Sequence, residues 1–415
     1  MTTTLNSLTT DLDYLAFCEE RLQDPYPLYH RLRTEDPVHY CEPMNLWLVT
    51  RYEDVLAGLR DPRLSSDRTG MYTQALPEEL KVRVQPLLNH VSKWIQLTDE
   101  PEHGRLRKLV NAAFTPKMIN TLRPGIENLA AELLDGLDRQ KSFDLIEKFS
   151  GPLPAIIICQ MLGIPDGERD RFRESTEQLM KFSARGGPSL KDHAVPAHAA
   201  LNDLISLFER LVDERRREPR EDLLSSLVSA VVDGERLTNE ELYAMCVFIF
   251  MAGHETTTNG IASGVLALLR NPDQYARFIE NQDEMVGGLV DEALRYESPV
   301  PRAVRRANED LLIGGKSIPA GSHVVLMLGA ANRDPDQFPN PDCFDIARRP
   351  NRHLAFGFGL HFCLGAQLAK IELGIAFRVI AKQFPNLRLA GAELDWKPVM
   401  GIRALKNLIV EDAEK

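Results

Sequence analysis

The sequence predicts a mainly α-helical chain with a smaller β region, an α+β fold in one domain spanning residues 1–415. Three observations carry this. Apolar residues recur at three- and four-residue spacing over several long stretches. Strand-like text is confined to two places far apart in the chain, Val38 to Tyr52 and Asp310 to Leu328. No repeat or low-complexity segment divides the sequence, and two remote sheet regions have to meet to bury their faces. One domain satisfies that more simply than two.

Taken in order, Val38 to Tyr52 sets two short apolar runs on either side of Pro43, Met44 and Asn45, a hairpin signal. Leu64 to Trp94 mixes Ser, Asp, Gly and Pro with apolar side chains and reads as a loop. Ser183 to Pro196, with Gly186, Gly187, Pro188 and Pro196, reads the same way. Loops of this length inside a compact helical domain are often lids or binding loops. Leu122 to Leu137 and Leu201 to Arg217 carry helical periodicity. Thr238 with Glu241 is a capping box, and Asn271-Pro272 is a stop. Roughly 32 residues between them would span roughly 48 Å as one helix. Asp283 to Tyr296 is helical text ended by Pro299. A hairpin follows at Asp310 to Ile318, turning on Gly314-Gly315, then a strand at His323 to Leu328. Gly365 to Phe384 closes the pattern with a helix.

Composition excludes several classes. The 49 basic and 60 acidic side chains give a net charge of −11, which argues against an overall binder of nucleic acid or anionic membrane. The longest nearly unbroken apolar run, Ala244 to Gly253, is about half of the roughly 20 residues a spanning helix needs. Met1 to Asp13 is polar and Thr-rich, with no signal-peptide pattern. Cys18, Cys41, Cys159, Cys246, Cys343 and Cys363 are scattered with no C-x-x-C pair, so neither a disulfide framework nor a zinc cluster is indicated. The expected setting is the cytoplasm.

The chemistry concentrates in two places. The long helix is apolar nearly all round from Tyr243 to Met251, which means burial. It then runs through Ala252-Gly253-His254-Glu255-Thr256-Thr257-Thr258-Asn259-Gly260, poor material for a buried helix. A local rule broken at the centre of the longest element marks function. The bland reading is a kink with threonines bonded back to the preceding turn. A metalloprotease reading of His254-Glu255 fails because position 258 is Thr. The second place is Phe356-Gly357-Phe358-Gly359-Leu360-His361-Phe362-Cys363-Leu364-Gly365, directly before a helix. Glycines permit a sharp turn, and the helix N-terminus favours a thiolate at Cys363. Such a sulfur suits a soft metal ligand, and haem iron accepts one. A zinc site would need further Cys or His nearby. A nucleophilic cysteine with His361 as its base, as in a cysteine hydrolase, stays open as the non-haem alternative. Glu292 and Arg295, three apart, can pair on one helix face.

The cysteine loop, the Glu292-x-x-Arg295 pair and the Ala252-Gly253-x-Glu255-Thr256-Thr257 helix resemble, in order and spacing, the cytochrome P450 superfamily. The likeness is to its soluble bacterial class and runs from Asp24-Pro25-Tyr26 to the strand text around Leu408. It implies a triangular helical prism holding haem b, iron protoporphyrin IX, between the central helix and the helix of the cysteine loop. Cys363 would be the axial thiolate that favours O–O cleavage. His103 and Arg107, four apart in one helix, with Arg305 and His361, would hold the two propionates, and His353 is a fifth candidate. Glu292, Arg295 and Arg348 would be a structural triad. Ala252 and Gly253 would leave the groove where oxygen fits. Glu255 and Thr256 would be the acid–alcohol pair that delivers protons. One departure is Gly104, at a position that is often Thr.

The implied activity is that of a monooxygenase. It would take O2 as co-substrate and electrons from NAD(P)H through a ferredoxin reductase and a ferredoxin. It would hydroxylate or epoxidise a hydrophobic small molecule, in secondary metabolism, with no nucleic acid or membrane as partner. A peroxide-driven or non-oxygenating haem-thiolate enzyme is the rival within the superfamily, and a haem-binding sensor without turnover is the rival outside it. Met71, Phe248, Ala252, Val300, Ala303 and Met400 are candidate substrate-lining positions. Arg105, Lys108, Arg349, Arg352 and Lys370 form a candidate basic patch for an acidic ferredoxin.

Overall fold

The structure is a computed structural model and describes residues 23–137, 141–183, 190–391, 394–397 and 401–412. Its axis is the helix Asn239–Arg270, continuous through 32 residues. The expected capping box starts it: the Thr238 hydroxyl accepts from the Glu241 amide (3.3 Å), and the Glu241 carboxylate accepts from the Thr238 amide (2.8 Å). Leu242 to Val247 and Thr257 to Leu268 are buried. The polar run does not break the helix, because its side chains donate back to carbonyls one turn earlier. Thr256 Oγ1 bonds Ala252 O (2.6 Å), Thr258 Oγ1 bonds His254 O (2.9 Å), and Asn259 Nδ2 bonds Glu255 O (2.8 Å). Buried polar groups are thereby satisfied locally.

Helices Pro152–Met161, Arg169–Ser183, Leu190–Arg217, Gln282–Tyr296 and Ala366–Gln383 pack against this axis. Aromatic contacts tie them in; Phe250 of the axis meets Phe172 edge-to-face with ring centroids 4.5 Å apart, a geometry that contributes about 0.5–1.5 kcal/mol beyond area burial.

The strands are β1 (Val38–Cys41), β2 (Leu46–Val49), β3 (Leu64–Ser65), β4 (Phe143–Asp144), β5 (Ala303–Ala307), β6 (Leu311–Ile313), β7 (Lys316–Ile318), β8 (His323–Leu326), β9 (Leu387–Leu389) and β10 (Ile409–Asp412). One sheet runs β1-β2-β8-β5-β3, a second β4-β10-β9, and β6 with β7 forms a separate hairpin. β2 and β8 pair in parallel; β1 with β2, β8 with β5 and β5 with β3 are antiparallel. The two remote strand regions therefore do meet. The β6–β7 turn at Gly314-Gly315 lies where it was expected.

Two expected loops are different. After β3, Leu64 to Trp94 folds into three short helices, Thr69–Gln74, Glu78–Arg83 and Gln85–Val91. Each is under two turns, too short to display a period, and Pro77 and Pro86 sit at their starts, where proline is compatible with a helix. The helix Leu190–Arg217 begins inside the other expected loop and contains Pro196. Residues 184–189 of that loop lie outside the described residues.

Glu292 and Arg295, both fully buried, form a bidentate pair at 2.7 Å on both arms. Arg348 Nε adds bonds of 3.2 and 3.1 Å, and Asn351 Nδ2 and the Asp345 amide complete the carboxylate's shell. The spare guanidinium hydrogens go to the carbonyls of Asn332, Pro339, Asn340, Pro341 and Cys343. A buried ion pair is tolerable only when so completely hydrogen-bonded. It locks the chain from 339 to 351 onto helix Gln282–Tyr296 just ahead of the cysteine loop.

Candidate active site

The cysteine loop turns where its glycines allow. Gly357 and Gly359 have φ of +68° and +71°, left-handed values that a side chain disfavours. A Cβ on Gly359 would also lie 3.0 Å from the Leu59 carbonyl oxygen. The Cys363 amide donates to Phe356 O (2.9 Å), and helix Ala366–Gln383 starts three residues later. Burial pushes the Cys363 thiol above its ordinary range, opposed by the amides of Gly365 and Ala366 and by the Arg107 guanidinium. These donors await an anionic sulfur, which a bound cation stabilises. Among the described residues no group of three or more His, Cys, Asp or Glu could hold a metal ion. A metal at Cys363 therefore has to bring its other ligands with it.

Around this sulfur the structure assembles His103, Arg107, Arg305 and His361. The imidazoles of His103 and His361 meet in a tilted contact, with centroids 4.2 Å apart and planes at 54°. His103 is buried and its Nδ1 has no hydrogen-bond partner. Burial, then Arg305, His103, Arg68 and Arg107, push His361 down to about 3. Among the described residues no hydrogen bond links the His361 imidazole to Cys363, so the nucleophile–base contact of the hydrolase alternative is not formed. Arg305 is held by β5, is 7% exposed, and donates to Val304 O (2.9 Å). Burial, then Arg68, lower it to about 10, against the pull of Asp99. Among the described residues neither Arg107 nor Arg305 forms an ion pair. Buried guanidinium groups without an anion are costly. A metal macrocycle carrying two carboxylates supplies both the missing anions and the missing ligands, so the residues fit haem b.

His353 does not join this cluster. Its Nε2 lies 3.6 Å from Asp291, its Nδ1 accepts from the Ala355 amide (3.2 Å), and Asp291 also pairs with Lys370 at 2.8 Å. The fifth candidate, His353, thus faces Asp291. Within the basic patch, Arg105, Lys108 and Lys370 each have an acidic partner, whereas Arg349 bonds a neutral carbonyl. Arg105 pairs with Glu102 and Glu241, Lys108 with Asp233 at 3.3 Å, and Arg349 donates to the Arg348 carbonyl.

On the axial helix, Ala252 is exposed and 253–256 are partly exposed, between buried Met251 and Thr257. Accessible surface in the middle of a packed helix means that it passes an internal recess there. Gly253 has a packing reason too: a Cβ would lie 2.5 Å from Ile158 Cδ1 of the Pro152–Met161 helix. Burial raises the Glu255 carboxyl, while Lys397, with Nζ 3.9 Å away, lowers it and Glu177 raises it. His254, against Phe250, is pushed by burial to about 4 and is neutral at physiological pH. Met71, Phe248, Val300 and Ala303 are each partly exposed, and Phe248 packs on Trp94 with centroids 6.1 Å apart. Met400 lies outside the described residues. The carboxylate of Glu100 fills the space beside Gly104, 2.6 Å from where a Cβ would stand.

Four residues near the site carried no signal in the sequence. Lys397 and Glu177 reach Glu255 from remote segments, and Asp99 and Arg68 reach the cation cluster. None stands in a motif, so only the fold reveals them.

A cysteine loop facing Arg107 of helix Glu102–Ala113 and Arg305 of β5, neither ion-paired among the described residues, fits a haem-thiolate oxidoreductase. The chain belongs to the cytochrome P450 family, whose model matches residues 44–387. It is 38% identical to the polyketide biosynthesis cytochrome P450 PksS of Bacillus subtilis, over 93% of this chain and 95% of that one. It is 39% identical to the cytochrome P450 monooxygenase PikC of Streptomyces venezuelae, over 96% and 93%. Among solved structures it resembles P450BioI in complex with a hexadec-9Z-enoic acid ligated acyl carrier protein, with a TM-score of 0.85, 36% identity and coverage of 94% and 99%. No helix among the described residues is long and apolar enough to cross a membrane.

Proposed function

We propose that this protein is a monooxygenase that binds haem b through Cys363 and oxidises a hydrophobic small molecule, by hydroxylation or epoxidation, in secondary metabolism. The observation that carries the reading is the set of Arg107, Arg305, His103 and His361 around Cys363: neither guanidinium forms an ion pair among the described residues, His103 Nδ1 has no partner, and the set matches a two-carboxylate metal macrocycle. One domain, residues 1–415, would do this work. The sheet joining residues 38–65 with 303–326 supports that.

When bound, the haem supplies the oxygen-activating redox chemistry. The chain's own residues bind, orient and move protons. Cys363 Sγ holds the metal, and His103, Arg107, Arg305 and His361 hold the carboxylates. Thr256 donates its hydroxyl hydrogen to the Ala252 carbonyl, which leaves its oxygen lone pairs to accept. Glu255, one residue away, is the proton reservoir, its carboxyl raised by burial above the ordinary range. Met71, Phe248, Val300 and Ala303 keep the recess apolar. Electrons come from NAD(P)H through a ferredoxin reductase and a ferredoxin in the cytoplasm. The polyketide relative, and the neighbour seen with an acyl chain on its carrier protein, support an extended acyl or polyketide-like substrate.

The test is spectral. The reduced carbonyl complex should absorb far to the red of an imidazole-ligated haem protein. Cys363→Ser should lose that band, while Cys343→Ser keeps it. Retention of the band in Cys363→Ser ends the assignment. NADPH consumption coupled to product, with a generic ferredoxin pair, separates the monooxygenase from a peroxide-driven enzyme or a sensor.

A further inference from the structure

The cation cluster holds one member more than two carboxylates require. β3 lies beside β5 in register, with Ser65 opposite Arg306 and Leu64 opposite Ala307. The chain leaving β3 is strapped to Asp99: the Ser65 hydroxyl and the Ser66 amide both donate to its carboxylate. Asp99 in turn accepts the His103 amide on its carbonyl oxygen, at 2.8 Å, and so anchors the start of helix Glu102–Ala113. This double tether delivers Arg68 to the group formed by His103, Arg305 and His361. Its guanidinium acts electrostatically on both Arg305 and His361.

Arg68 is poorly compensated. One nitrogen, Nη1, donates to the Ser66 carbonyl at 3.3 Å, and no ion pair to it is formed among the described residues. Asp67, its neighbour, accepts from the amide and hydroxyl of Thr69. Burial lowers the Arg68 pKa although part of its surface stays accessible. A group that is both crowded by protein and accessible lines a recess. Three guanidinium groups, Arg68, Arg107 and Arg305, thus share a neighbourhood in which Asp99 and Asp67 already accept hydrogen bonds from Ser65, Ser66 and Thr69. Mutual repulsion of that kind persists only where an anion offsets it.

We propose that Arg68 is a carboxylate-binding residue of the recess, a third guanidinium beside Arg107 and Arg305. The shared chemistry is a planar carboxylate met by a guanidinium fork. It has two possible sources: a haem propionate, or a free carboxylate on the substrate. This rests on the haem-thiolate reading above.

The experiment uses the haem-loaded protein and its Arg68→Gln and Arg68→Lys variants. Haem release to excess apomyoglobin is timed, and spin-state titrations are run with dodecanoic acid and with its methyl ester. A charged hydrogen bond of ordinary strength predicts changes on the order of tenfold or more. If the source is a propionate, Arg68→Gln releases haem at least about tenfold faster, Arg68→Lys recovers part of the loss, and the acid and ester respond alike. If the source is the substrate, haem release is unchanged and the acid weakens about tenfold while the ester does not. Unchanged haem release with unchanged acid-to-ester preference overturns the proposal, as does unchanged release in a protein blind to both probes. Far-UV dichroism and thermal midpoint confirm folding of each variant, and faster release that Lys does not recover at all, with a lowered midpoint, also counts against it. A wild type without the red-shifted carbonyl band would instead overturn the haem-thiolate reading itself.

Discussion

At the scale of single residues, Thr256 has a structural task and a proposed chemical one, and a substitution separates them. Its back-bond to Ala252 is one of three such bonds on the helix, so losing it leaves the neighbours of Thr258 and Asn259 intact. Thr256→Ala should therefore fold and bind substrate as before. Proton-delivery groups contribute roughly 10²–10⁴-fold in rate, so product per NADPH should collapse while hydrogen peroxide rises. Unaltered coupling would remove Thr256 from proton delivery. Glu372 offers a different test, of stability. It is 1% exposed on the helix after the cysteine, its Oε2 has no partner, and burial alone pushes it up to about 8 from an ordinary 4.5. Folding holds a proton there that the unfolded chain releases. Below the ordinary value the two states match and the stability is fully present; it is then lost as pH rises from about 4.5 through about 8. The urea midpoint should fall across that window, and Glu372→Gln should flatten the fall. Parallel curves for the two proteins would show that Glu372 ionises freely in the fold.

At the scale of elements, the cysteine loop is the most constrained. Gly359→Ala adds a Cβ at a left-handed φ and 3.0 Å from a backbone oxygen, which cannot rotate away. Strain of this kind costs on the order of 1–3 kcal/mol. The thermal midpoint should drop and the cysteine ligation spectrum should broaden; a variant as stable as the parent would mean that the loop relaxes. The axial helix teaches the opposite lesson. Its low propensity between Ala252 and Gly260 is poor material for a buried helix, yet the helix runs on as the cap and stop signals predict, because side-chain back-bonds satisfy the buried polar groups that propensity penalises. The capping box at Thr238 was legible because its two hydrogen bonds are local. The helices between Thr69 and Val91 were not, since tertiary contacts rather than periodicity hold helices of six or seven residues.

At the scale of the whole molecule, the Glu292–Arg295–Arg348 network ties residues 339–351, which precede the cysteine loop, to helix Gln282–Tyr296. Arg348→Ala removes a guanidinium that reaches Glu292 and three carbonyls, leaving the buried Glu292 carboxylate one cation short. A broken buried ion network costs about 3–5 kcal/mol. Urea unfolding should show a loss of that size, with haem retention falling alongside; a loss below about 1 kcal/mol, the scale of an exposed pair, would place the network outside the structural core. The fold class, the axial helix, the hairpins and the turn of the cysteine loop were written in the chain itself, because each depends on periodicity, caps, turn residues or a motif within a few tens of residues. Which cations surround Cys363 was legible only through the family likeness. That His353 turns to Asp291, that Lys397 and Glu177 face Glu255, and that Asp99 straps Arg68 beside Arg305 was decided by tertiary structure alone. Those contacts join residues tens to hundreds of positions apart, and electrostatics acts through the distance across the fold, which the order of residues does not encode.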